Sequence, residues 1–228
     1  GVTGRPLDPE RLRWALGLHH RIDQRRAALL DGRARFGGSD RELYGILRRG
    51  EFLWPEDHLA ELEQAAARLA EGPVQRGTPL LVSGIVPEPM ALFDHLAEAG
   101  AYVAGDDYAA IGRRVVREAP DLEGDPLTAP ADRLLAAPPC STRASALGLR
   151  LAHLDRICAR GACAGVVLHA VKFCEPEDFD VAGLRRHFAN RGLPLLVLEG
   201  ELEAELAGQA VTRLEAFVEM VSAARGNA

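Results

Sequence analysis

A short apolar run that leads directly to a cysteine does most to limit how this chain can fold. The run is Val166-Val-Leu168, within the stretch from Gly165 to Pro176, and it is followed by Cys174 and an acidic residue before the proline. An unbroken apolar run is typical of a strand buried on both faces, as in the middle of a parallel sheet. Ligands of open α/β sheets gather at the carboxyl ends of the strands, so Cys174 stands where a ligand is expected. A thiolate there can ligate iron or zinc.

Further apolar segments alternate with helical patterns along the chain. The predicted strands cover 80–84, 101–105, a segment opening at Cys163 and 193–199, and the predicted helices cover 87–99, 143–160, 179–190 and 212–224. Gly100 stands where a glycine commonly ends a helix, and Thr212 and Glu215 have the spacing of a capping box. The alternation predicts an α/β fold with a doubly wound, four-stranded parallel sheet.

The first third of the chain is predicted to be helical. Helices are expected at 8–30, 41–49 and 55–69, with Ser39 or Asp40 as the N-cap of the second. This part contains no constellation of catalytic residue types, so we expect residues 1–76 to form a helical layer on an α/β lobe of residues 77–228. Residues 119–139 are predicted to be an irregular, functional loop with at most a helical turn at 133–136.

Composition narrows the classes of partner. The 228 residues are 47% hydrophobic, enough to bury a core as one domain or one and a half. The net charge of −6 and the scattered basic residues argue against nucleic acid. No apolar run approaches a membrane span and no signal segment opens the chain, so a cytoplasmic protein without a membrane partner is the default. The four irregularly spaced cysteines are then free thiols or metal ligands.

Parallel strands would bring polar residues together at one edge of the sheet. The candidates are Ser83, Asp106 with Asp107, Cys174 and Glu199, each at or just after the end of a predicted strand. This convergence predicts a functional site at that edge. The residues Ser83-Gly-Ile-Val-Pro87 lack the glycine spacing of a dinucleotide or phosphate cradle, so a nucleotide site is disfavoured.

The cysteines differ in their surroundings. Cys158 lies on the apolar face of its helix and Cys163 opens a strand, so both are expected in the core. Cys140 follows two prolines, and it could cap the next helix, ligate a metal or touch substrate. Cys174 could be a metal ligand or a nucleophile.

Two further side chains precede Cys174. A period of two places Lys172, and not His169, on the face of Cys174. We expect His169 to be a hydrogen-bonded side chain of the core or of the sheet edge, in preference to an acid/base group.

Several blocks, in order, carry a family resemblance. They are Gly105-Asp-Asp107, Gly112-Arg-Arg114, Pro138-Pro-Cys-Ser-Thr142, Lys172-Phe-Cys-Glu-Pro176, Gly192-Leu-Pro-Leu-Leu-Val-Leu-Glu199, and Gly208 to Phe217 followed by Glu219 and Met220. Together they resemble subunits of the 2-hydroxyacyl-CoA dehydratase and benzoyl-CoA reductase family. The resemblance covers nearly the whole chain.

The resemblance implies two flavodoxin-like lobes per subunit and a [4Fe-4S] cluster held by cysteines of both lobes. It also implies an acyl-CoA substrate, a homologous second subunit and an ATP-dependent activator protein that supplies an electron. Cys174 matches the cluster cysteine of the C-terminal lobe. Cys140 matches a cysteine of a Pro-Cys-Pro-Thr type of loop, although Ser141 replaces the usual proline.

The remaining roles implied by the resemblance fall on the sheet edge and the last helix. Gln209, Thr212, Arg213 and Glu215 match the family's terminal helix block, in which Val211 replaces a residue that is often basic. We take Glu199, Gln209 and Thr212 as catalytic candidates. The substrate-binding candidates are Ser83, Asp107, Cys140 and Arg213.

One departure from the family matters most. The other cluster cysteines of the family belong to an N-terminal lobe, and no cysteine precedes Cys140 here. The chain is therefore expected to be a C-terminal fragment, or a short homologue that cannot hold the cluster alone.

Four functional hypotheses follow. The leading one is a subunit, or C-terminal fragment, of an iron-sulfur dehydratase that removes water from an (R)-2-hydroxyacyl-CoA by a radical route after one-electron reduction. The runner-up is a subunit of an ATP-dependent benzoyl-CoA-type reductase. The others are a non-catalytic scaffold subunit and an α/β binding module without metal.

Overall fold

The computed structural model describes residues 4, 6–75, 77–125, 127–202 and 205–226. Within these residues the helices are α1 (Pro9–Asp31), α2 (Asp40–Arg49), α3 (Pro55–Ala66), α4 (Ala91–Glu98), α5 (Ala129–Ala136), α6 (Leu147–Gly161), α7 (Glu175–Asn190) and α8 (Gly208–Gly226). The strands are β1 (Thr78–Gly84), β2 (Ala101–Tyr108), β3 (Gly165–Val171) and β4 (Leu195–Gly200). None of the described helices combines the length and the hydrophobicity needed to cross a bilayer.

The four strands form one parallel sheet in the order β2-β1-β3-β4. This confirms the predicted α/β fold. The chain passes from β1 outward to β2 and then crosses back to β3, so the strand order reverses between β1 and β3. Loops leaving these two central strands diverge, which opens a crevice at their carboxyl ends. Cys174 follows β3 at this point.

Helices cover both faces of the sheet. On one face, Leu154 of α6 and Phe188 of α7 pack with Leu81, Val166 and Leu168 of the central strands. On the other, α4 and α8 pack on the alternate residues of the same strands; the buried residues there include Val82, Phe93, Val167, Leu198, Leu214 and Phe217. The apolar run Val166-Val-Leu168 is therefore buried from both sides.

The N-terminal helices join the second of these cores. Leu29 of α1, Tyr44 of α2 and Leu62 of α3 are buried in the same apolar cluster as Leu80 and Val82 of β1. Ser39 caps α2 as predicted, because its Oγ accepts a hydrogen bond from the Glu42 N–H at 3.1 Å. The predicted division into residues 1–76 and 77–228 stays a prediction.

Several predicted boundaries are wrong at helix starts. The helix α8 begins at Gly208, so Thr212 lies inside it and its Oγ1 donates to the Gly208 carbonyl at 3.2 Å instead of capping the helix. The helix α7 begins four residues earlier than predicted, because Pro176 is tolerated in its first turn. The helix α4 starts only at Ala91, after Pro87 and Pro89.

Other boundaries shift around the candidate residues. The strand β2 runs to Tyr108, so Asp106 and Asp107 lie within it and not after it. The strand β3 begins at Gly165, which leaves Cys163 outside it, and α6 begins at Leu147 instead of Arg143. The strand also ends at Val171. Lys172 and Cys174 therefore lie after the strand, and the alternation of side chains along a strand does not place them on one face.

We expect Gly77→Ala to destabilise the protein by about 2–4 kcal/mol, because two penalties combine at that position. Gly77 has φ +106°, and an added Cβ would lie 2.1 Å from the Gly100 carbonyl oxygen. Gly45→Ala is the matched control: its Cβ would meet nothing within 4 Å in α2, so it should stabilise by up to about 1 kcal/mol. Equilibrium unfolding in urea measures both, and equal midpoints would contradict the prediction.

Candidate functional site

A buried ionic cluster lies at the carboxyl ends of β1 and β2. It consists of Asp107, Arg113, Arg150 and Glu177, with Ser83 bound to it, and the side chains of all four charged residues are at most 1% exposed. Ser83 Oγ donates to Asp107 Oδ2 at 2.7 Å, and Arg113 Nη2 donates to the same oxygen at 2.8 Å. Sequence-distant elements thus meet in one network of charge-assisted hydrogen bonds.

The two arginines bind Glu177 from different elements. Arg113 follows β2 and Arg150 lies on α6, and each donates through Nη2 to Glu177 Oε1 at 3.0 Å. Arg150 Nη1 also donates to Asp180 Oδ2, one turn further along α7, at 2.7 Å. The first turns of α7 are therefore held from two sides.

Neighbouring aspartates in β2 have opposite electrostatic environments. Burial alone would raise the pKa of Asp107, but the charge and hydrogen bonds of Arg113, with those of Arg150 and Ser83, hold this pKa below its ordinary value. Burial dominates at Asp106 and raises its pKa to about 6, although Arg33 and the Tyr44 hydroxyl oppose the shift. Asp107 is thus built into the network as an anion.

Cys140 is also buried and bonded. Its Sγ accepts a hydrogen bond from Arg113 Nη1 at 3.4 Å and lies 3.0 Å from Thr142 Oγ1. Burial raises the pKa of the Cys140 thiol, but the hydrogen bonds from Thr142 and Arg113 outweigh it, so the pKa is lower than usual. The thiol borders a cavity of about 280 Å³ that Ile85, Val86, Arg114 and Arg143 also line, among others.

Cys174 is half-buried and forms the N-cap of α7. Its carbonyl accepts hydrogen bonds from the N–H groups of Glu177 and Asp178 at 3.0 and 3.1 Å. Two phenylalanines near it face solvent: Phe173 is 92% exposed and Phe179 is 81% exposed. Phe173 also has φ +66°, which side chains other than glycine rarely adopt.

A second cavity lies at the carboxyl ends of β3 and β4. His169, Lys172 and Glu199 line it, together with the residues just before α8. Lys172 Nζ donates to Glu201 Oε1 at 3.0 Å. On α8 itself, Gln209 and Thr212 are exposed, and Arg213 Nη2 donates to the Val197 carbonyl of β4 at 2.9 Å.

The structure therefore brings some of the predicted residues together and separates others. Ser83 and Asp107 are in contact, but inside the ionic cluster and out of solvent. Glu199 is exposed and lines the second cavity. The catalytic and substrate-binding roles of these residues stay predictions.

The residues that the structure describes do not by themselves assemble an iron-sulfur site. Within the described part of the chain, no group of three or more His, Cys, Asp or Glu side chains is placed to hold a metal ion. The Cys140 thiol is hydrogen-bonded to Arg113 and Thr142. Cys158 and Cys163 pack against the apolar face that α6 covers. Cys174, half-exposed at the exit of β3, fits a single ligand position.

The sequence interpretation missed the charged core of the site. Arg113 lay in a quoted motif block but was given no role, while Arg150 and Glu177 were not identified at all. A signal existed for Arg150, which follows Leu147 by three residues and precedes Leu154 by four, and so lies on the apolar face of α6. A charged residue on a buried face implies a buried partner.

Comparisons with known proteins agree on one family. The family described as 2-hydroxyglutaryl-CoA dehydratase, D-component, matches residues 1–221. The lactoyl-CoA dehydratase subunit beta of Anaerotignum propionicum is 29% identical over 180 residues, which cover 78% of this chain and 48% of that protein. The chain spans about half the length of the curated relatives it matches.

Two further relatives carry related descriptions. The (R)-phenyllactyl-CoA dehydratase beta subunit of Clostridium sporogenes is 23% identical over 179 residues, covering 76% of this chain and 46% of that protein. The beta subunit of (R)-2-hydroxyglutaryl-CoA dehydratase from Acidaminococcus fermentans is 25% identical over 184 residues, covering 76% and 47%.

We expect Arg113→Met to lower the free energy of unfolding by about 3–5 kcal/mol, because it removes one of the two arginines that pair with the buried carboxylates of Asp107 and Glu177. Arg114→Met is the matched control, since Arg114 is exposed and its ion pair with Glu51 is long, at 3.4 Å. That change should cost less than about 1 kcal/mol. Denaturant unfolding measures both, and a small effect at Arg113 would show that the ionic cluster does not stabilise the fold.

The raised pKa of Asp106 predicts a pH dependence of stability. The native carboxyl binds its proton up to a pH of about 6, against an ordinary pKa of 3.8, so its protonation stabilises the fold fully below pH 3.8. This contribution is lost as the pH rises to about 6, at a cost of about 2–3 kcal/mol. Asp106→Asn should remove this dependence, which unfolding curves between pH 4 and 7 would show. Parallel curves for the two proteins would contradict it.

Proposed function

Since this chain belongs to the 2-hydroxyglutaryl-CoA dehydratase D-component family, we propose that it acts as a beta-type subunit, or part of one, of a 2-hydroxyacyl-CoA dehydratase. The match of the family over residues 1–221 carries the proposal. The dehydratase hypothesis is favoured over the hypothesis of a benzoyl-CoA-type reductase, because the relatives described above are named as dehydratase subunits.

In this proposal, the reaction removes water from an (R)-2-hydroxyacyl-CoA to give an enoyl-CoA, after an ATP-driven activator has supplied one electron. A [4Fe-4S] cluster, when bound, would supply a low-potential electron and an open iron position for a substrate oxygen. The Cys174 thiolate would be one ligand, and the remaining ligands would come from residues outside this chain. Reduced thiols of this kind suit a cytoplasmic location.

The surroundings of Cys174 support a ligand role. Cys174 is the N-cap residue of α7, and its half-buried side chain stands between the end of β3 and the first turn of this helix. Glu177 lies three residues further on, and the two arginines fix it in place. A ligand held by a fixed helix turn keeps its position when a cluster changes its charge.

The exposed aromatic rings support the presence of a partner. Phe173, which directly precedes Cys174, and Phe179, in the second turn of α7, leave large apolar surfaces in water. Exposed aromatic groups of this size are typical of surfaces that another protein covers. We propose that the homologous second subunit, or another lobe, covers them.

A non-catalytic scaffold subunit is the second candidate. One observation favours it: within the residues that the structure describes, no set of three metal-ligating side chains is assembled. The subunit would then position its partner without holding a cluster.

Cys174→Ser separates these candidates. We expect the variant, co-produced anaerobically with the homologous subunit and assayed with reduced activator, to lose dehydration of lactoyl-, phenyllactyl- and 2-hydroxyglutaryl-CoA. It should also lose bound iron and sulfide, because a ligand is missing. Cys158→Ser, at a thiol within the α6 core, is the matched control and should retain both.

Each contrary result points to one alternative. Full turnover by Cys174→Ser would support the scaffold. A complex without iron or sulfide would overturn the cluster assignment and favour a metal-free binding module. Reduction of aromatic thioesters without dehydration of 2-hydroxyacyl-CoA would favour the reductase.

A further inference from the structure

The cavity between β3, β4 and α8 contains a histidine that the proposed chemistry does not use. His169 is 1% exposed and lies at the end of β3, opposite Leu198 of β4 in the strand register. A Cβ added to Gly200 would lie 3.2 Å from its Nε2, so this nitrogen faces the end of β4 that lines the cavity. The imidazole therefore points toward the cavity from a rigid strand.

His169 has no partner that would explain its burial. Its Nδ1 is out of solvent and forms no hydrogen bond with any described residue. Burial lowers the pKa of His169, so the ring is neutral at physiological pH and carries one N–H. A buried N–H group without an acceptor is less favourable than a buried nitrogen lone pair without a donor. Because Nδ1 is the nitrogen without a partner, we assign the proton to Nε2. The ring thus presents a donor to the cavity.

The charges around the cavity favour a ligand whose hydrogen-bond acceptor is uncharged. Glu199, Glu201 and Glu205 all line it, and Lys172 pairs with one of them. These carboxylates oppose an anionic ligand. The N-terminus of the 19-residue α8 adjoins the cavity and favours partial negative charge, as a carbonyl oxygen carries.

The size and the remaining walls fit a short organic group. The cavity measures about 140 Å³, close to the roughly 150 Å³ that accepts a benzene-sized molecule. Its apolar walls include Pro89, Leu198, Leu206, Ala207 and Ala210. Apolar walls combined with a few placed polar groups are typical of a small-molecule subsite.

We propose that His169 donates a hydrogen bond from Nε2 to a carbonyl oxygen at the pantetheine end of an acyl thioester, seated in this cavity. The inference rests on the proposed function and adds to it a substrate-binding residue and a subsite. The thioester carbonyl and the pantetheine amide carbonyl share this chemistry, and the experiment below distinguishes them.

Nuclear magnetic resonance of the full 228-residue chain with ¹⁵N-labelled histidine tests the proposal. The His169→Phe spectrum assigns the His169 ring among the seven histidines. The free protein should show a neutral ring with the proton on Nε2. S-lactoyl-N-acetylcysteamine should then produce a saturable shift of Nε2. A shift with this probe alone identifies the thioester carbonyl, and an equal shift with N-acetylcysteamine identifies the amide.

Two variants test the cavity itself. Ala210→Leu should fill it and weaken binding of the thioester probe by about tenfold or more, whereas Ala216→Leu, on an exposed part of the same helix, should bind normally. His169→Phe should weaken binding several-fold, to about tenfold, with an unchanged unfolding midpoint. If that variant does not fold, Ala210→Leu and the spectrum of the unsubstituted protein decide the question.

Three results would overturn the proposal. They are a proton on Nδ1, no saturable shift with either probe, and an equal response to the lactate anion. None of these measurements depends on iron, activator or turnover. A failure of the dehydratase assay would therefore leave this test intact, and a failure here would leave the family function standing.

Discussion

Four charges without contact to water fix the geometry of the whole sheet edge. Removing Asp107, Arg113, Arg150 and Glu177 from solvent is unfavourable by several kcal/mol per ion, and their mutual pairing offsets part of this cost. Asp107 Oδ1, Glu177 Oε2 and the Nε atoms of both arginines have no hydrogen-bond partner among the described residues. The pairing is possible only when β1, β2, α6 and α7 are all in place. The cluster therefore favours this one arrangement of the four elements over others.

This arrangement divides the carboxyl edge into parts with different chemistry. The centre is closed and ionic, and Ser83 and Asp107 are hydrogen-bonded within it, out of contact with solvent. One flank, after β1 and β2, carries the Cys140 thiol, whose pKa is lowered, beside a cavity that three arginines line. The other flank, after β3 and β4, carries a neutral imidazole in an apolar cavity with an acidic rim. The half-exposed Cys174 follows the central strand β3.

The sequence predicted the sheet well because apolar runs and their spacing report burial directly. It also placed Cys174 correctly at the exit of β3, since strand ends are marked by the loss of apolar residues. It could not predict that Asp107 is sealed by Arg113 and Arg150, because ion pairs between distant residues leave no local pattern. Thr212 shows the same limit: its spacing to Glu215 matched a cap, but the preceding residues continue the helix.

The backbone at Phe173 has a consequence for the chain taken alone. A side chain in the left-handed conformation costs about 1–2 kcal/mol relative to glycine, and a ring almost wholly in water recovers none of this by packing. Glycine would be the more stable residue at this position in an isolated chain. The ring of Phe173 thus destabilises the free subunit locally. Only an assembly in which another surface buries the ring can offset this cost, because the buried ring then contributes to binding.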